Sequence, residues 1–142
     1  HLIIEVTENA YIGQRDDVVA SGIRNIRLLG VRIALDDFGT GFAALAHLLT
    51  VPVDIIKIDR SFVCRLVPGD PSVAIVKGIV QIARDLNIKL VAEGVETQEQ
   101  LESLQALGCD FAQGYLFGKP QPYVASEIRN GYQEQLNCER LS

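Results

Sequence analysis

The stretch VRIALDDFGTGFAALAHLL, residues 31–49, contains the pattern that decides the fold. Residues 31–37 form a nearly continuous apolar run, which is typical of a parallel strand covered on both faces. Gly39 and Gly41 permit a sharp exit turn, and residues 42–49 are predicted to form a short helix. A strand, a loop and a helix in this order are the building unit of a parallel α/β sheet.

Four further apolar runs have the same strand pattern, at residues 2–6, 53–59, 88–94 and 111–117. Helical patterns separate these runs, at residues 17–29, 72–86 and 97–107. Strands that alternate with helices indicate an α/β fold with a parallel sheet. We also expect a polar helix over residues 123–136, within a terminal helix and tail that span residues 123–142.

Capping residues mark the ends of these helices. Ser72 is the predicted N-cap of the long helix. Thr97, with Gln100 three residues later, fits a capping box. Gly30 and Gly108 follow the last periodic residue of their helices and are predicted to end them.

Composition limits the classes of function. The chain has 142 residues, enough for one domain with a core, and its net charge of −5 provides no basic footprint for a nucleic-acid polymer. No apolar run approaches the ~20 residues of a membrane span, and no signal peptide is visible. Its three widely spaced cysteines form no CxxC pair, which favours a reducing, cytoplasmic compartment and predicts that Cys64 and Cys109 are small buried side chains. The lack of Met and the abrupt apolar start HLIIEV suggest an incomplete protein.

Polar residues follow or end the predicted strands. In chain order they are Glu5 and Glu8, Asp36 and Asp37, Lys57 and Asp59, Glu93 and Glu96, and Gln113. The carboxyl ends of parallel strands lie on one side of the sheet, where ligands bind. We therefore expect these side chains to form one site.

The adjacent acids Asp36 and Asp37 decide the chemistry expected there. Two like charges this close are costly unless a cation offsets them. Oxygen ligands without a nearby Cys or His suit Mg²⁺ or Mn²⁺ better than Zn²⁺. The pattern therefore predicts a divalent metal site at the mouth of the sheet.

Each residue also has an ordinary structural interpretation. The acid pair before Gly39 is often only a turn, and a histidine on a short helix or a group of arginines is usually a packing or solvated surface feature. Those alternatives cover Glu8 as a helix cap, Lys57 and Asp59 as a buried ion pair, Glu96 as a favourable charge at a helix N-terminus, Gln113 as a core amide, and His47, Arg24, Arg27 and Arg32 as surface residues.

Five stretches in this order resemble the EAL domain of bacterial cyclic di-GMP phosphodiesterases. They are IIEVTE (3–8), LDDFGTGFAAL (35–45), VDIIKIDRSFV (53–63), LVAEGVET (90–97) and LGCDFAQGYLFGKPQP (107–122). The resemblance implies a TIM-type (β/α)8 barrel with one reversed strand, of which this chain contains about five of the eight βα units. It also implies two Mg²⁺ or Mn²⁺ ions and hydrolysis of cyclic di-GMP to linear pGpG.

The resemblance assigns a role to each site residue. The implied metal ligands are Glu5, Asp36, Asp37 and Glu93, with Asp36 bridging the two ions. Lys57, Glu93 and Gln113 are the implied catalytic residues, Lys57 and Gln113 by orienting or activating the attacking water. Glu8 anchors the loop that contains Gly39 and Gly41 and leads to a dimer interface, and the further substrate or supporting candidates are Asp59, Glu96, Phe117 and Pro120.

The chain departs from the family pattern in two respects. Ala43 and Ala44 replace serines of the loop. The Glu-Ala-Leu motif, with a metal-ligating Glu and an Arg for substrate, and a metal-ligating Asn are expected upstream of these residues. We therefore expect this chain to be inactive or very weak unless a second chain completes the site.

Partners follow from the same resemblance. The expected partners are cyclic di-GMP, a second copy in a homodimer or larger assembly, and upstream sensor or GGDEF domains. Such upstream domains are also expected to be the part through which a parent protein is anchored to a membrane. Two alternatives stay open: a non-catalytic module that binds cyclic di-GMP or another protein, and an enolase-type barrel lyase that uses strand-end carboxylates, Mg²⁺ and a Lys base.

Overall fold

The computed structural model describes residues 2–7, 16–39, 44–119 and 138–141. In this part of the chain the strands form one sheet in sequential order. The first five strands are parallel and the last pairs antiparallel with the fifth. They are β1 (Ile3–Thr7), β2 (Arg32–Phe38), β3 (Ile55–Ile58), β4 (Lys89–Ala92), β5 (Phe111–Gln113) and β6 (Cys138–Arg140). The predicted α/β fold with a parallel sheet is confirmed.

Helices connect the parallel strands. They are α1 (Asp16–Leu28), α2 (Ala44–Thr50), α3 (Arg60–Val63), α4 (Pro71–Asp85) and α5 (Gln98–Leu107). The four-residue helix α3 was not predicted, because one helical turn is too short to show periodicity. None of these helices is long and apolar enough to span a membrane.

The predicted cap at Ser72 is wrong. Asp70 is the N-cap of α4, and its carboxylate accepts the backbone N–H of Ser72 at 2.8 Å. Pro71 takes the first helical position, where its missing N–H costs nothing, and this places the cap one residue earlier. The capping box of α5 is confirmed, and the positive φ of Gly108 ends that helix.

The strand predicted at residues 111–117 is also wrong beyond Gln113. The backbone N–H of Leu116 donates to the carbonyl of Val95 at 3.0 Å, so the chain turns across the end of the sheet. Leu116 and Phe117 pack against the core, which explains the apolar signal in this turn. The helix predicted at residues 123–136 lies outside the described residues, and the tail after it contains strand β6.

The core lies between the sheet and the helices. Its fully buried side chains come from both layers and include Ile33, Leu35, Phe38, Ile56, Ile58, Val76, Leu90 and Leu104. Cys109 is buried, as predicted, and burial raises the pKa of its thiol to about 12. Cys64 is exposed, contrary to prediction, because it caps the end of the short helix α3.

Candidate metal centre and catalytic site

An irregularity in β2 brings two adjacent acids to one end of the sheet. Leu35 pairs with Ile56 of β3 and Phe38 with Ile58, so Asp36 and Asp37 together oppose the single residue Lys57. Asp37 has a φ of 55°, which is unusual for a residue other than glycine. This bulge removes the alternation that would point the two side chains to opposite faces. The carboxylates of Asp36 and Asp37 therefore both reach the mouth of the sheet.

Lys57 is the centre of the charge network. Its ammonium lies 2.7 Å from Glu93, 2.8 Å from Glu5 and 3.1 Å from Asp36. Its side chain is only 10% exposed, whereas Glu5 is 53% exposed. The alternative of a buried Lys57–Asp59 ion pair is wrong, because Asp59 instead accepts the backbone N–H of Ser61 and caps α3.

The network shifts the pKa values of its buried members. Desolvation lowers the pKa of Lys57, but hydrogen bonds to Glu5, Glu93 and Asp36 outweigh this and raise it above its ordinary value. Burial raises the pKa of Glu93, and the charges of Asp36 and Glu5 add to this effect, while Lys57 opposes it. Among the described residues, three carboxylates thus share the one ammonium of Lys57.

Three carboxylates are close enough to share a cation. One oxygen each from Asp36, Asp37 and Glu93 lies within 4.8 Å of the others. Such a set of oxygen ligands, two from β2 and one from the residue after β4, fits a hard divalent ion such as Mg²⁺ or Mn²⁺. The predicted ligand Glu5 is not in this trio and lies against Lys57 instead.

A cavity of about 290 Å³ opens beside Glu93. It is lined by Arg60, Glu93, Gly94, Glu96, Gln113, Gly114 and Tyr115. Gln113 is exposed at the end of β5, so the alternative of a core amide is wrong. Three predicted site residues, Glu93, Glu96 and Gln113, therefore line one space at the mouth of the sheet.

Other predicted residues have structural contacts. Glu96 pairs with Arg60 at 2.8 Å, and its backbone N–H donates to Gln100 of the capping box. Phe117 is half-buried against the core. Gly39 has a φ of 97°, as a sharp turn requires. Glu8, Gly41 and Pro120 lie outside the described residues, as does the side chain of His47 in α2.

Two side chains that line the cavity, Arg60 and Tyr115, were not predicted. Arg60 directly follows the predicted site residue Asp59 and Tyr115 lies two residues after Gln113, so closeness to a predicted site residue is the signal that could have found them. Gly114 was also missed, and a Cβ at this position would collide with the backbone of Val95. The close approach of these two backbones holds the turn that carries Gln113.

The three arginines predicted to be surface residues lie at the opposite end of the sheet. Arg24 and Arg32 are exposed, as predicted, and line an open cavity of about 550 Å³. Arg27 is not a solvated surface residue, because its guanidinium forms two hydrogen bonds to Asp54. This end is therefore separate from the acidic mouth.

Sequence comparisons place these features in a known context. Residues 1–120 match the model of the EAL domain family. The chain is 44% identical over 122 residues to the bifunctional diguanylate cyclase/cyclic di-GMP phosphodiesterase MucR of Pseudomonas aeruginosa. That match covers 86% of this chain but only 18% of MucR.

Solved structures agree with the sequence match. A complex of the MucR phosphodiesterase with cyclic di-GMP superposes with a TM-score of 0.79 at 43% identity, covering 90% of this chain and 51% of that one. BlrP1 of Klebsiella pneumoniae, in a complex with manganese and cyclic di-GMP, gives a TM-score of 0.76 at 38% identity, covering 83% and 30%. The chain thus spans about half of the solved MucR phosphodiesterase and has the fold of part of a TIM-type barrel. This sequence is a member of the EAL domain family.

Proposed function

We propose that this chain supplies the metal-binding part of a phosphodiesterase that hydrolyses cyclic di-GMP to linear pGpG. The observation that carries the proposal is the group of three carboxylate oxygens beside a buried lysine at the carboxyl end of the sheet. The relatives named as cyclic di-GMP phosphodiesterases support the substrate. The enolase-type alternative has no comparable support.

Asp36, Asp37, Glu93 and Glu5 would hold two Mg²⁺ or Mn²⁺ ions. Paired divalent ions supply binding of the phosphodiester, a lower pKa of bound water and stabilisation of the leaving oxygen. Asp36 contacts Lys57 and belongs to the group of three oxygens, and it would hold both ions, as the family resemblance implies. Without ions the excess of carboxylates would repel a dianionic nucleotide, so these residues bind the substrate only through cations.

Lys57 and Gln113 would orient the attacking water. The Lys57 ammonium is held at 2.7–3.1 Å by three carboxylates, which keep it protonated at neutral pH. One of its three N–H groups would turn from a carboxylate to the water. Gln113 faces the cavity beside Glu93 and offers both a donor and an acceptor. Glu96 and Tyr115 line the same cavity and would contact the nucleotide.

The remaining ligands that the family implies, a Glu and an Asn, would come from another part of the polypeptide or from a second chain. Within the described residues β1 pairs only with β2, and no described strand covers its outer edge, which is the kind of edge that pairs with another strand. We propose that this edge self-associates when no further strand covers it. The homodimer, the upstream sensor or GGDEF domains and the cytoplasmic location stay predictions.

The test is binding and hydrolysis of cyclic di-GMP by the chain at increasing concentration, with and without Mn²⁺. Calorimetry measures binding, and chromatography measures linear pGpG. We expect binding only with Mn²⁺, and slow product formation that rises more steeply than protein concentration as chains associate. Asp36→Asn should abolish both, whereas Lys77→Asn, on the exposed surface of α4, should change neither.

Two results would contradict the proposal. Binding of cyclic di-GMP that is equal with and without Mn²⁺, and equal in Asp36→Asn, would favour the non-catalytic module. Product formation that persists in Asp36→Asn would show that hydrolysis does not depend on these carboxylates.

A further inference from the structure

The short helix α3 contacts both acid-bearing loops. The ring of Phe62 lies so close to Gly39 that a Cβ on this glycine would be 2.9 Å from it. The stem of Arg60 covers Gly94, where a Cβ would be only 2.8 Å from the Cβ of Arg60. Gly39 lies two residues after Asp37, and Gly94 directly follows Glu93. One helical turn therefore packs against both loops that lead away from the carboxylates.

Arg60 is fixed to the second loop at two points. Its aliphatic stem lies on Gly94, whose φ of 69° gives the loop its turn. Its guanidinium pairs with Glu96 at 2.8 Å. An exposed ion pair by itself contributes little to stability. The combination with a close backbone contact fixes where the loop lies relative to α3.

Helix α3 is itself tied to the strand that carries Lys57. Asp59 caps it by accepting the N–H of Ser61 at 2.9 Å. Val63, at its end, is fully buried. Because α3 begins three residues after Lys57, its position is set by β3.

We infer that Arg60 and Phe62 are positioning residues that hold Glu93 and Asp37 at the separation a shared cation needs. This rests on the proposed metal site. Neither residue need touch the metal or the substrate. Phe62 limits how far the loop after Asp37 can move, and Arg60 limits the loop after Glu93.

The test is the affinity of the chain for Mn²⁺ alone, measured from the electron paramagnetic resonance signal of free Mn²⁺. Supporting residues of metal sites typically change affinity by about 10- to 100-fold. We expect Arg60→Ala and Phe62→Leu each to weaken binding by about 10-fold on that scale. Arg60→Met keeps the stem over Gly94 and should restore most of the affinity.

Arg65→Ala is the matched control. Arg65 is 62% exposed, against 61% for Arg60, and also forms an ion pair, to Asp70 at 3.3 Å. It lies two residues after the end of α3 and is not among the residues that line the cavity beside Glu93. Its removal should leave Mn²⁺ affinity unchanged. Circular dichroism checks that every variant is folded.

Amide hydrogen exchange gives a second readout that needs no metal. We expect faster exchange in residues 93–96 for Arg60→Ala and in residues 36–39 for Phe62→Leu. Unchanged affinity and unchanged exchange in the folded variants would overturn the inference, as would an equal effect of Arg65→Ala. If the wild type binds no Mn²⁺, the proposed function fails, and the exchange rates alone decide whether α3 positions the loops.

Discussion

The two ends of the sheet treat their carboxylates differently. At the amino end Asp54 has its own cation, Arg27, and accepts the backbone N–H of Ile33 at 2.9 Å. Asp110 has the same arrangement, with Lys89 at 2.6 Å and the N–H of Leu90 at 3.0 Å. Each of these two acids joins neighbouring elements of the fold and has its own cation in an ion pair.

At the carboxyl end several acids compete for one lysine. Glu5, Asp36 and Glu93 all contact Lys57, and Asp37 contributes an oxygen to the same group as Asp36 and Glu93. The number of acids therefore does not by itself distinguish a structural cluster from a metal site. Among the described residues the two ends differ because three carboxylates share one lysine at the carboxyl end, and like charges this close favour a bound cation.

The largest effect is expected from Lys57→Met. It leaves half-buried carboxylates without their cation, and breaking a buried pair in this way typically costs about 3–5 kcal/mol. The pKa of Lys57 is raised, so its contribution is complete below the ordinary value of 10.5 and is lost only as pH rises through the higher folded-state value. Urea unfolding at pH 7 measures the cost.

The same variant sharpens the comparison through pH. In Lys57→Met the carboxylates repel one another, so we expect its stability to rise as the pH falls from 7 to about 5 and the carboxylates begin to protonate. A loss in the free energy of unfolding of less than about 1 kcal/mol, the range of an exposed ion pair, would contradict this account. It would show that the carboxylates do not need the charge of Lys57.

A smaller effect is expected from Asp54→Asn at the amino end. Loss of the charged hydrogen bonds should cost about 2 kcal/mol at pH 7. Burial raises the pKa of Asp54, but the hydrogen bonds from Arg27 and Ile33 outweigh it and lower the pKa below its ordinary value of 3.8. The contribution is therefore present above pH 3.8 and disappears as pH falls through the folded-state value.

Urea unfolding of Asp54→Asn and wild type from pH 7 to pH 2 checks this sign. The two curves should converge at low pH, and Mn²⁺ binding should be the same in both. A constant difference at every pH would mean that Asp54 acts through packing and not through its charge.

Much of this arrangement was predictable from the sequence, because apolar runs, glycines and a capping box mark the parallel strands and helices. The site was predicted by placing polar residues at strand ends, a rule that depends only on topology. The bulge at Asp36 and Asp37 was not predictable, because it is a mismatch in register between two strands. Gln113 does lie at the end of a strand, as predicted, whereas the turn after it, which is apolar for packing reasons, was mistaken for a longer strand.

The most direct measurement is the free energy of unfolding as a function of Mn²⁺ concentration for wild type, Asp36→Asn and Asp54→Asn. A ligand at 100 times its dissociation constant stabilises a protein by about 2.7 kcal/mol. We predict this gain for wild type and Asp54→Asn and none for Asp36→Asn, whose metal-free stability should change by less than about 1 kcal/mol because Lys57 keeps Glu5 and Glu93. An equal gain in all three proteins, or no gain in the wild type, would contradict a metal centre at the carboxyl end of the sheet.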